Sequence, residues 1–177
     1  MKNLLQLLFT ALLCSCISLK SCTLSDNDPK PKTELEKLPP ATQEGKNTFG
    51  CLVDGKAWVI EVSTHAPSYY QVGVLSITAF LNNNYFDQGI SIIILEANLT
   101  ETEYILTEYP QIFGRLRDYN SNCEYLTSTL YTGRLIITHF DQTNFIISGT
   151  FEFEGYSANC SKVIKITNGR FDLNYAP

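Results

Sequence analysis

From Phe49 to the C-terminus, apolar residues fall into short segments broken by turn residues, and no helical periodicity persists beyond about two turns. A chain patterned this way buries its large side chains as strands, and a succession of tight turns makes those strands antiparallel. The stretch TFGCLVDGKAWVI (48–60) defines the clearest pair. Asp54–Gly55 is a two-residue type I′ turn signal, and it sets Cys51 opposite Trp58 and Phe49 opposite Ile60. Phe49, Cys51, Trp58 and Ile60 then share one face. Ten Tyr and ten Phe against one Met and one Trp fit the same reading, because aromatic residues favour strands.

Val72–Leu81 and Gly89–Ala97 are apolar on both faces and are expected as interior strands, with Asn82–Gln88 as the loop between them. A short strand is expected within 101–109, and Pro110–Asn122 reads as a long polar loop or irregular crossing. Cys123–Tyr131 and Gly133–Phe140 follow as strands. In Phe145–Glu154, Phe145, Ile147, Gly149, Phe151 and Phe153 face one way, while Ser148, Thr150, Glu152 and Glu154 face solvent. Near the C-terminus Ile164 and Ile166 are even-numbered but Phe171, Leu173 and Tyr175 are odd. A strand changes faces only with an extra residue, which predicts a bulge at Asn168–Gly169. The fold class is therefore all-β: an antiparallel β-sandwich or closed barrel of about eight or nine strands over residues 49–177.

Residues 1–15 form the expected signal peptide, a basic start followed by the apolar run Leu4–Leu13, which is too short to span a bilayer. Bacterial lipoprotein signals resemble Leu–small–small–Cys, the Cys being lipidated after cleavage. Cys16, with Leu13 three residues back, is the expected lipidation site and Cys22 the runner-up; Cys14 follows a bulky Leu13 and leaves with the signal. More than one acyl chain gives stable anchoring, so the membrane is an expected partner through the N-terminal lipid. Residues 16–48 are expected as a tether. From Thr23 they hold four of the seven prolines, charges of both signs and no aromatic residue, a composition that cannot offset its ordering entropy. Any helix at Thr33–Lys37 is marginal at that length.

Cys123 and Cys160, both at loop–strand junctions in an oxidising compartment, are expected to form a disulfide, leaving Cys51 as a buried thiol near Trp58. Two histidines and no CxxC spacing give no metal site, and no cofactor is expected. A net charge of −5 with scattered Lys and Arg excludes a nucleic-acid partner, since phosphates need a dense basic patch.

Candidate chemistry is sparse. His139 and Asp141 lie two apart at a strand end, His65 stands alone, and no GxSxG accompanies them. Glu152 and Glu154 resemble a glycosidase pair only in being two carboxylates, on a face that reads as solvated. The excess of tyrosine is more suggestive: Tyr69, Tyr70, Tyr85, Tyr104, Tyr109, Tyr119, Tyr125 and Tyr131 fall in or beside loops. Tyrosine offers apolar area with a polar tip, suited to stacking on sugars or meeting proteins.

The segments LPPATQEGKNTFGCLVDGKAWV, GRLIITHFDQTNFIISGTFEF and KITNGRFDLNY together resemble an uncharacterised domain family of Bacteroidota surface lipoproteins, over roughly residues 38–177. The resemblance implies a lipid-anchored, all-β protein of the bacterial cell envelope, an outer-membrane lipoprotein facing the periplasm or the surface, and carries no catalytic residues with it. The expected function is a non-enzymatic binding or accessory module for glycan, peptide or protein; the alternative is a small envelope hydrolase with a loop-assembled site.

Overall fold

The computed structural model describes residues 32–60, 66–83, 86–96 and 98–177. The signal peptide, Cys14, Cys16, Cys22, His65 and Tyr85 lie outside the described residues.

Eleven strands are present among these residues: β1 (Thr48–Val53), β2 (Lys56–Ile60), β3 (Ser68–Gln71), β4 (Val74–Asn83), β5 (Phe86–Leu95), β6 (Glu103–Leu106), β7 (Ile112–Asp118), β8 (Cys123–Leu126), β9 (Gly133–Asp141), β10 (Ile146–Ser157) and β11 (Lys162–Asn174). They form one antiparallel sheet in the order β2-β1-β11-β10-β8-β7-β5-β4-β3, with β9 also on β10 and β6 on β9. The all-β expectation holds, with eleven strands rather than eight or nine. The closed barrel is overturned, because the sheet remains open. Sandwich-like layering survives only in that the sheet curls and its two halves meet across a shared core. Phe49 of β1 and Phe171 of β11 belong to the same buried cluster as Ile77 of β4 and Ile92 of β5.

The first hairpin forms as its turn dictates. Cys51 pairs with Trp58 and Phe49 with Ile60, across Asp54 and Gly55 at φ 49° and 78°. The bulge is there too: β11 contributes one residue more than β10 between the Phe151–Gly169 and Phe153–Ile166 pairs, and Asn168 sits at φ 54°. Both inward sets, Ile164 and Ile166 before it and Phe171 and Leu173 after it, are buried.

Four expectations are corrected. Val72 is the exposed tip of the β3–β4 turn, and strand pairing begins only at Val74. The ladder of β4 and β5 runs to the Asn83–Phe86 pair, so most of the expected loop 82–88 is strand. The polar stretch 110–122 contains β7, a central strand between β5 and β8, in which Phe113 and Leu116 are buried while Arg115 and Arg117 look outward. Phe145, expected inward, stands exposed at φ 56° before β10 begins.

A further difference concerns residues 32–47, read from sequence as part of the tether. They pack against the sheet as a strap: a 3-10 turn at Leu35–Lys37, a buried Leu38, and a loop over 41–47 lying on the outer face of β10 and β11. There Asp172 accepts from Thr42 Oγ1 at 2.6 Å, from the amides of Glu44, Gly45 and Lys46 at 3.1, 2.8 and 3.1 Å, and from Ser148 Oγ at 2.8 Å. The strap explains why Ser148, placed by alternation on the solvated face, is fully buried.

Candidate functional site

The sequence-nominated acids and bases do not converge. Glu152 accepts from Arg134 Nε at 2.9 Å, and Glu154 is 2.9 Å from Lys165 Nζ, so each carboxylate is held by a cation on a neighbouring strand. His139 pairs in register with Ser148, four positions along β10 from Glu152, about 13 Å away. Its Nδ1 lies 3.7 Å from Glu101. Asp141 is a turn residue, accepting from Thr143 N and from both nitrogens of Asn144; the Asn144 bonds foremost hold its carboxyl below the usual range.

Cys123 and Cys160 are joined, with Cα atoms 5.8 Å apart, tying the start of β8 to the β10–β11 turn. Cys51 is a free thiol buried among core residues, and burial pushes its pKa far up, which leaves it inert as a nucleophile.

The most distinctive surface arises where the sheet forks. Ile146–Phe153 of β10 pair with β9, whereas Tyr156 further along pairs with Leu126 of β8 on the same side. The connection 127–132 leaves the sheet at that fork. Gly133 lets β9 depart there, since a Cβ would overlap Phe153 Cβ and the Glu152 carbonyl. On one side of the connection lies an open groove of about 680 Å³, with Glu103, Arg134, Glu152, Glu154 and Lys165 among its lining. On the other is a second groove of about 510 Å³, lined by Tyr109, Tyr131, Tyr156 and the hydroxyl residues Thr127, Ser128 and Thr129. Leu130, 85% exposed, lines both.

Tyr131 and Tyr156 stack, with centroids 5.4 Å apart and planes at 15°. Tyr109 packs edge-on against Phe113 at 5.0 Å and remains 58% exposed. Ser128 Oγ accepts from the amides of Leu130 and Tyr131, shaping the connection that presents them. Val163, in register with Tyr156, extends the apolar end.

Of the tyrosines singled out in the sequence, among the described residues only Tyr109 and Tyr131 reach this surface. Tyr125 is buried, Tyr70 packs on Phe140, Tyr104 bonds Thr100 and Tyr119 lies under Arg117. Tyr69 is exposed on β3, at a parallel bridge to Ala176. Tyr156 and Leu130 were not singled out. The signal for Tyr156 was its even-numbered phase, shared with Glu152 and Glu154; nothing in TSTLYT (127–132) marks Leu130.

Residues 47–172 match a family described as a domain of unknown function (DUF6252), and the chain belongs to that family. No curated protein and no solved structure matches it.

Proposed function

We propose that this member of a family without assigned activity is a lipid-anchored protein of a bacterial cell envelope. It serves there as a non-enzymatic module that binds its ligand in the forked groove. One observation carries the binding reading: the stacked Tyr131–Tyr156 pair and the exposed Leu130 and Tyr109 meet beside two adjoining grooves. Exposed aromatic and aliphatic side chains clustered at a concave surface mark recognition rather than packing. An envelope hydrolase is the weaker reading, because Glu152 and Glu154 are engaged by Arg134 and Lys165 and His139 lies apart from both.

The anchor rests on the leader and on Leu13–Cys14–Ser15–Cys16. Intact mass spectrometry of membrane-extracted protein tests it. The expected mature N-terminus is an acylated Cys16, lost in Cys16→Ala and kept in Cys22→Ala. Unlipidated protein in the soluble fraction would refute anchoring and leave a diffusible binder.

A further inference from the structure

We infer that the ligand of the forked groove is an uncharged oligosaccharide chain; this rests on the binding reading above and specifies its chemistry. Stacked tyrosines present flat apolar area with polar edges, which complements the C–H face and hydroxyl rim of a pyranose ring. The neighbouring groove is rich in ions yet nearly balanced, with three carboxylates (Glu103, Glu152, Glu154) against two cations (Arg134, Lys165). Arg134 and Lys165 are each satisfied by one of those carboxylates at 2.9 Å. Paired this way, they offer hydroxyl groups both donors and acceptors with little net field. A phosphate or carboxylate would have to compete with Glu152 and Glu154 for the two cations, and a polybasic peptide would have to displace the cations themselves.

Hydroxyl side chains continue the pattern, with Ser128 and Thr129 on one side of Leu130 and Thr132 and Thr167 on the other. Two grooves sharing Leu130, each within the size range of small-ligand sites, suit successive rings of one chain rather than a single sugar.

The test is affinity electrophoresis of the full chain through gels containing neutral polysaccharides (mixed-linkage β-glucan, galactomannan, arabinoxylan, starch), with heparin and polylysine as charged probes. Titration calorimetry with the matching oligosaccharide follows. Retardation by a neutral polysaccharide, unaffected by added salt, is expected. Tyr156→Ala should weaken it about tenfold, the scale of one lost aromatic contact. Tyr156→Phe should retain it, showing that the ring and not a folding defect is read out.

Binding of heparin or polylysine alone, lost in Tyr156→Ala, would overturn the inference of an uncharged oligosaccharide and leave the groove as a binding site. Neutral-glycan binding that Tyr156→Ala and Leu130→Ala leave intact would overturn the assignment to this groove. No binding to any of these probes would overturn the oligosaccharide inference. A peptide-library screen giving no groove-dependent ligand either would bring down the binding reading with it.

Discussion

Asp172 is sealed from solvent and takes five hydrogen bonds, four of them from the strap. Burial works to raise its pKa. The bonds from Thr42, Lys46, Ser148 and Glu44 outweigh that effect and bring it down to about 2. Charge-assisted bonds from backbone amides favour the ionised form, so the folded protein binds this proton more weakly than an unfolded chain, whose Asp titrates near 3.9. The stabilisation, about 2 kcal/mol, is present above about pH 4 and disappears as pH falls through about 2. Asp172→Asn keeps the shape and removes the charge, and should cost about 3 kcal/mol at neutral pH. In urea unfolding, the gap between wild type and variant should narrow as pH approaches about 2. A gap equal at both ends would mean that the charge is not what holds the strap.

Among the elements, hairpins behave as their turns specify, with one informative exception. The β1–β2 turn places Asp54–Gly55 at positive φ, the residue pair that a type I′ turn favours. The β3–β4 turn has the same backbone, with φ 49° and 75°, but Val72 occupies its first position, fully exposed. A β-branched residue in the left-handed region is strained and here buries nothing in return. Val72→Asn should therefore stabilise the protein by about 1 kcal/mol, raising the calorimetric Tm by roughly 3 °C. An unchanged or lower Tm would show that Val72 is supported by something other than its turn.

That turn hid β3 from the sequence, because an apolar Val continues the alternation of β4 where Asn or Gly would have broken it. β7 was hidden by the opposite effect. Arg115, Arg117 and Gly114 made a central strand look like a loop, although its arginines simply project from the outer face. The Asn168 bulge was legible because phase is a local property of the chain, and the Cys123–Cys160 pair because both cysteines fall at loop–strand junctions. The groove was not, since it needs β8, β9 and β10 to diverge at one point in space.

At the scale of the whole molecule, an open sheet must manage its edges, and here the strap manages one. β2 is an edge strand, and the Ala57 amide donates to Glu34 Oε2 at 2.8 Å, so a residue before the sheet occupies a hydrogen bond that another chain would otherwise take. The same segment supplies four of the five donors to Asp172 and packs Leu38 into its own site. None of this is visible in a Pro- and charge-rich composition, because the donors are mostly main-chain amides and their acceptor lies more than a hundred residues away. A chain beginning at Lys32 should therefore unfold as one cooperative unit, whereas one beginning at Thr48 removes four of the five donors to Asp172 and uncovers that carboxylate and Ser148 to solvent. The shorter chain should lose about 2 kcal/mol, the stabilisation those bonds give the ionised carboxylate, and should self-associate through β2. Urea unfolding and sedimentation velocity on the two chains measure both effects. Equal stability and equal sedimentation would return residues 32–47 to the role of a spacer. Asp172→Ala lowering the stability of the longer chain but not of the shorter one would show that the strap is held by that carboxylate, and that the folded unit begins near residue 32 rather than at β1.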